Sequence, residues 1–519
     1  MNQLSVKLSE LTLEEKIGQM FMARGLSAFP GEVKDLLERG LIGGIQAKSH
    51  EDFRTKFAAL QKQARIPLFV AADMEFGFTG TGFQGTPMPC AMALGAIGKE
   101  KTAYAWASVV AREARAYGVN FVFGPVLDVA LDPRSPMVNI RAISAHPDEV
   151  IRLGSAVVRG YQDHGMQVSA KHYPGAGRSP VDNHIQMCRL LCNRRVFTGT
   201  ELRIYREVIQ RARLSGIMTG HILVPAVDPE AIATVSSRLV NCVRRKGFSG
   251  IIISDSLAMK GVKTQISPDE LAVRVMASGH DIILGDYSIP PRVQLACIIN
   301  AVKRGQVSEA VVDRAVRRIL AAKAALRRYH PEPVNRREHR DIALAINRQA
   351  VTVTGSCRRW LANRGRRKTL FIVTVDSLRP QAAMEIGGDT KSRIVRLLAK
   401  HFPGQRVWRI PDAIGPAEIE KMLDVALDYD HIVFITYALP HSYKGTADLP
   451  NPLLALIGGL AGKLDLIVLF GNPYAARHFP PAICVMYPYW GGQAEQAAVE
   501  VLAGAYTPKG QLPVQWNDT

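Results

Sequence analysis

Eight short apolar runs, separated by stretches with helical periodicity, occupy this 519-residue chain to about residue 325 and leave it few folds. The runs are Met20–Ala23, Leu41–Gln46, Pro67–Asp73, Val119–Gly124, Gln167–His172, Gly216–His221, Gly250–Asp255 and Asp281–Gly285. Segments such as Ala103–Ala116 and Pro147–His164 carry the helical period between them. A β, α order repeated eight times fits a (β/α)8 TIM-like barrel better than an open sheet, and the amphipathic pattern of Val311–Arg328 closes it. The barrel is therefore predicted over residues 1–328. Residues 329–342 open as Tyr329-His-Pro-Glu-Pro-Val-Asn335, polar and broken by two prolines, and read as a linker. From 343 to 519 a second alternation appears, with strand candidates at Thr369–Val375, Arg406–Ile410, His431–Tyr437, Leu466–Gly471 and Ile483–Tyr487, which predicts a smaller layered α/β domain.

With 47% hydrophobic and 21% charged residues the chain has the proportions of a globular protein with a sizeable core. The amino terminus lacks a basic head followed by an apolar stretch, and no run reaches the roughly 18 apolar residues that span a bilayer. The expectation is a cytoplasmic protein with no membrane insertion. Seven cysteines, odd in number and without a Cys-x-x-Cys pair, argue against a disulfide framework and read as buried thiols. His184, Cys188 and Cys192 would share one face of a helix and could offer ligands to zinc, but a further ligand and the usual spacing are missing, so no metal is expected. Lysine plus arginine, 65, exceed aspartate plus glutamate, 46, which invites a nucleic-acid reading. The arginines are spread as pairs such as Arg194-Arg195 and Arg366-Arg367, not gathered in one aromatic-interleaved patch. The excess therefore reads as a basic solvated surface without a nucleic-acid partner, with binding of an acidic polymer as the alternative.

Several runs end in polar residues: Asp73, the Lys171-His172 pair, His221, and Ser254-Asp255. One such residue is commonly an N-cap for the following helix, but together they mark the carboxyl ends of barrel strands, where functional residues converge. The densest group is Lys171-His-Tyr-Pro-Gly-Ala-Gly-Arg-Ser-Pro-Val-Asp-Asn-His184. Its prolines and glycines forbid helix or central strand, so a strand ends and a polar loop begins.

That segment is similar to the signature of the β-N-acetylglucosaminidase branch of glycoside hydrolase family 3. Leu13-Glu-Glu-Lys-Ile-Gly-Gln-Met-Phe21, Gly124-Pro-Val-Leu-Asp-Val129, Asn139-Ile-Arg-Ala142 and Gly250-Ile-Ile-Ile-Ser-Asp-Ser-Leu-Ala-Met259 resemble further blocks of the same family. Gly471-Asn-Pro-Tyr474 and Gly510-Gln-Leu-Pro-Val514 resemble its C-terminal α/β domain. The resemblance implies that Asp255 is the nucleophile, that His184 is the general acid and base, and that Asp182 holds the His184 ring. Imidazole suits that task because it titrates near neutrality, and a neighbouring carboxylate fixes its tautomer. Asp73, Arg141, Lys171 and His172 would hold the terminal sugar and Met259 would line its apolar face; His221 is a weaker candidate. Two departures bear on the sugar subsite: Ala176 stands where the branch commonly has His, and Asp73-Met-Glu-Phe-Gly-Phe78 where Asp-Gln-Glu-Gly-Gly-Arg is common.

The implied activity is that of a retaining exo-β-N-acetylhexosaminidase, releasing terminal N-acetylglucosamine from short glycans such as the muropeptides of peptidoglycan recycling. It would need no cofactor and would act as a monomer or homodimer. A β-N-acetylglucosaminide phosphorylase and a β-glucosidase on the same fold are alternatives, and so, from another class, is a catalytically silent glycan-binding protein.

Overall fold

The structure is a computed structural model, which describes residues 6–24, 29–47, 53–81, 83–183, 185–263, 266–326, 328–357, 360, 368–375, 390–440 and 446–515. Its first part is built on β1 (Phe21–Arg24), β2 (Gly44–Gln46), β3 (Phe69–Ala72), β4 (Phe121–Val122), β5 in two pieces (Gln167–Val168 and Ala170–Tyr173), β6 (Gly216–Thr219), β7 (Ile251–Ser254) and β8 (Ile283–Leu284). All pair in parallel. The ladder runs β8-β1-β2-β3-β4 to the first piece of β5, and continues from its second piece through β6 to β7. A bridge between Ile253 and Ile282 closes the ring. Each strand lies within or overlaps an apolar run of the sequence, and the barrel is the fold the alternation predicts. The regular part of β4 stops short of Gly124-Pro125, where proline has no N–H for the ladder, and pairing with β5 resumes at Val126 opposite Lys171.

Helices follow the strands on the outside, each with a sequence reason to start where it does. Leu13–Gln19 opens with a capping box: Glu15 N donates to Thr12 Oγ1 at 3.2 Å while Thr12 N donates to Glu15 Oε2 at 2.9 Å, an arrangement worth about 1 kcal/mol. Pro147–Asp163 opens on proline followed by Asp148 and Glu149, which suit a first turn, and buries a stripe from Val150 to Tyr161. A small sheet of Cys188–Arg189, Ile222–Val224 and Asp228–Ile232 lies beyond β5 and β6; these strands are too short and polar to read from sequence. Because Cys188 is in a strand, the helical face on which zinc ligation would depend does not form, and His184 lies outside the described residues. Among the described residues no group of three His, Cys, Asp or Glu could hold a metal ion.

The second part is one sheet of β9 (Thr352–Thr354), β10 (Thr369–Val375), β11 (Arg406–Pro411), β12 (His431–Ala438), β13 (Leu464–Gly471) and β14 (Val485–Tyr489), in the order β9-β14-β13-β12-β10-β11. Among the described residues only β9, which the sequence pattern does not reveal, runs antiparallel in this sheet, against β14. Residues 329–342, read as linker, already carry the start of the helix Arg336–Ala350: past the two prolines, Asn335 Oδ1 accepts from Glu338 N at 3.2 Å and caps it. Cys357 and Cys484 form a disulfide with their Cα atoms 5.4 Å apart, which corrects the reading of all seven cysteines as thiols. No described helix is long and apolar enough to cross a membrane.

The two parts share a core. Cys90, Met92, Ala93, Val138, Ile140 and Ala142 of the barrel pack into the apolar interior of the second sheet. Backbone bonds cross the same seam, from Cys90 N to Trp490 O at 2.8 Å and from Gln511 N to Ala96 O at 2.9 Å, and Tyr474 Oη donates to Ala130 O at 2.6 Å. The loops after β3 and β4, which frame the barrel mouth, are thus held from behind by the second domain.

Candidate active site

Beyond β3 the two-residue alternation continues, so Asp73 and Glu75 turn the same way while Met74 is buried. Lys171 of β5 reaches both, with Nζ 2.6 Å from Asp73 Oδ1 and 2.8 Å from Glu75 Oε1. Arg141, at the end of the turn Asn139–Arg141, holds Glu75 from the other side through Nε at 2.6 Å and Nη2 at 2.9 Å, and its Nη1 donates to Met137 O at 2.9 Å. Gln46 of β2 donates to Asp73 Oδ2 at 3.2 Å. Two cations and two carboxylates therefore interlock across β3, β5 and the loop after β4. The Asp73 side chain is 44% exposed and that of Lys171 4%, so Asp73 is the acid a ligand can reach. Burial alone would raise the Glu75 carboxyl, but Arg141 and Lys171 outweigh it and hold the group well below the usual carboxylate range. Burial would likewise lower Lys171; Asp73 and Glu75 reverse this and push it up, so both partners are charged.

His172 lies beside this cluster. Its Nδ1 is 2.6 Å from Oδ2 of the fully buried Asp128, and Nε2 faces Arg141 Nη2 at 3.5 Å. Asp128 Oδ1 accepts from Ala176 N at 2.7 Å, so one carboxylate fixes both the His172 ring and the start of the loop after β5. That loop is tightly seated. A Cβ on Gly177 would meet Val129 O at 1.7 Å, which only glycine avoids, and Arg178 Nε pairs with Glu201 Oε1 at 2.6 Å. Asp182 is buried, and its carbonyl accepts from Ile185 and Gln186 at 3.0 and 3.1 Å. Asn183 O and Gln186 O abut Gly261, in the helical turn Lys260–Lys263 that follows β7. The loop thus reaches the β7 side of the mouth, while His184 itself lies outside the described residues.

Asp255 follows β7, its N–H bonded to Thr219 O at 3.0 Å and its Oδ1 accepting from Ser256 N at 2.7 Å. It is partly open to solvent. Desolvation would raise its carboxyl, but His221, His172, the Ser256 N–H and Lys171 together hold it below the usual range, so it is ionised. His221 is fully buried, with Nδ1 2.8 Å from Thr234 Oγ1 and Nε2 2.9 Å from Ser256 O. Met259 is buried, its N–H bonded to Ser256 O at 3.2 Å. The arrangement offers an anionic oxygen in a field of cations, beside a clamp of polar groups suited to hydroxyls.

The structure therefore brings Asp73, Arg141, Lys171 and His172 into one network and places Asp255 within its electrostatic reach. Sequence reasoning passed over Glu75, Asp128 and Gln46. Glu75 stands two residues after Asp73, a spacing that signals a shared face, and Asp128 lies inside a block already noted for its resemblance.

Residues 12–322 match the model of the glycosyl hydrolase family 3 N terminal domain. A β-N-acetylglucosaminidase/β-glucosidase of Cellulomonas fimi is 31% identical over 334 residues, 62% of this chain but only 58% of that relative's length. A β-hexosaminidase of Tolumonas auensis is 30% identical over 270 residues, 49% of this chain and 78% of the relative. Among solved structures, a glycoside hydrolase family 3 β-N-acetylglucosaminidase from Paenibacillus sp. str. FPU-7 superposes with a TM-score of 0.86 at 27% identity, covering 97% of this chain and 99% of that one. On the match through the barrel, the chain belongs to glycosyl hydrolase family 3.

Proposed function

We propose that this chain is a retaining exo-β-N-acetylhexosaminidase that removes terminal N-acetylglucosamine from short glycans, cytoplasmic peptidoglycan fragments among them. The observation that carries the reading is Asp255, ionised and open to the mouth beside the Asp73–Lys171–Glu75–Arg141 clamp. Asp255 attacks the anomeric carbon while His184 protonates the departing oxygen; a covalent glycosyl-enzyme forms. His184 then takes a proton from water, which attacks the same carbon and returns Asp255 as carboxylate. Asp182 orients the His184 ring and offsets its charge. Asp73 accepts from sugar hydroxyls, Lys171 and His172 fix the ring, Glu75 and Arg141 keep Lys171 and Asp73 in place, and Met259 packs on the apolar side. The names of the Cellulomonas and Tolumonas relatives support the acetamido sugar, and the first keeps a β-glucoside as a second substrate. Phosphorolysis is the second reading, because a histidine acid carries no negative charge to repel an incoming phosphate.

The test is release of chromophore from an aryl β-N-acetylglucosaminide beside the matching β-glucoside, followed across pH. Since Asp255 is held below its ordinary value, the acid limb of kcat/KM falls below pH of about 3.9, where an unperturbed aspartate titrates. Lys171→Met, which removes one of the stabilising charges, moves that limb upward. An acid limb at or above the ordinary carboxylate range, unmoved by the substitution, contradicts the assignment.

A further inference from the structure

The sugar clamp comes from β2, β3, β5 and the loop after β4, and the reactive carboxylate follows β7 and is bonded to the end of β6, which leaves the arc of the mouth at β8 and β1 with no role. That arc is built with care. Arg24 ends β1 opposite Gln46 in the ladder, so the two side chains share a face, and Gln46 reaches Asp73 in the mouth. The Arg24 guanidinium lies 3.9 Å from the centroid of Tyr287, which follows β8 and is 40% exposed. Arg24 is half-buried, its Nε has no hydrogen-bond partner, and among the described residues no carboxylate pairs with it. The nearby acid is spent: Asp286 Oδ2 is 2.5 Å from Lys263 Nζ, and its Oδ1 accepts from Ser288 N and Oγ at 2.8 and 2.6 Å. Lys263 also donates to Ser288 Oγ at 3.1 Å, tying the β7 and β8 loops into a firm rim.

We propose that Arg24, braced by Tyr287, forms a binding site for an oxyanion at the β8–β1 edge of the mouth. This rests on the glycosidase reading above. A guanidinium lacking a carboxylate partner and braced by an aromatic ring is a ready fork for a carboxylate or phosphate, and the neighbouring clamp, which Gln46 joins to it, already has its charges balanced. The oxyanion is either a carboxylate of the aglycone or inorganic phosphate. In the second case a phosphate oxygen attacks the anomeric carbon of the glycosyl-enzyme, the bond to Asp255 breaks, and the carboxylate is restored with sugar 1-phosphate as product.

The experiment compares two aryl β-N-acetylglucosaminides of matched leaving-group acidity, one bearing a distal carboxylate, with wild type and Arg24→Gln, in the absence and presence of phosphate. For an aglycone carboxylate, Arg24→Gln lowers the ratio of kcat/KM between the carboxylated and neutral substrates about tenfold. For phosphate, sugar 1-phosphate forms from the neutral substrate, and Arg24→Gln raises the half-saturating phosphate concentration about tenfold. If Arg24→Gln leaves the ratio unchanged and phosphate has no effect, the site is refuted. If wild type turns over neither glycoside, the glycosidase reading fails, and calorimetric titration with the carboxylated glycoside decides the site alone: weaker binding by Arg24→Gln supports it and equal binding overturns it.

Discussion

Asp255→Ala loses turnover by a factor on the order of 10⁴ or more, while the fold and glycan binding persist. The size follows from chemistry: without the carboxylate no glycosyl-enzyme can form, and water alone must attack an unactivated acetal. Persistence of the fold follows from geometry, since Asp255 lies partly open after β7 and its side chain accepts from the adjacent Ser256 N–H, with no role in the barrel ladder. Removing it leaves no large cavity. The measurements are kcat on the aryl glycoside, circular dichroism of the variant, and calorimetric titration with a non-hydrolysed glycan. A pure glycan-binding protein would show no turnover to lose and would bind as before, whereas the enzyme loses turnover and keeps binding.

Glu75→Ala has the largest effect on stability, a loss of about 3 kcal/mol or more, because it strands two cations that are largely withdrawn from water. Lys171 and Arg141 both close on Glu75, and their side chains are 4% and 17% exposed. Without the carboxylate between them they repel, and Asp73 alone cannot answer both. The pH dependence has a definite sign. The folded Glu75 carboxyl lies well below its unfolded value of 4.5, so its contribution is complete above that value and is lost as pH falls through the lower, folded value. Thermal melts of wild type and Glu75→Ala are therefore far apart at neutral pH and converge in strong acid. The variant also raises KM, since Lys171 and Asp73 lose their alignment. Melting curves that superpose at neutral pH would show that the cluster has no such role.

The barrel was legible because each strand is a local apolar run, and the helices between them carry their own period. β9 was not: Thr352-Val-Thr354 is three residues long and gains its identity only by pairing with Val485–Tyr487. The Cys357–Cys484 disulfide closes over 127 residues, and no spacing rule connects such distant cysteines. In the site, Asp73, Lys171, His172 and Asp255 were legible as polar residues ending apolar runs. Glu75 was not, because its meaning lies in Arg141 and Lys171, far along the chain, which only the closed ring brings to it. Asp128 was equally hidden: it is an aspartate in an apolar block until β5 brings His172 to 2.6 Å. Arg24 and Tyr287 meet only because β8 pairs with β1.

A covalent intermediate at Asp255 requires net retention at the anomeric carbon, and proton NMR of the sugar released in the first moments of hydrolysis tests this most directly. Two displacements at one carbon give the β-anomer first, with the α-anomer growing in only by mutarotation. Immediate appearance of the α-anomer would mean a single displacement by water, and Asp255 would then be at most a base.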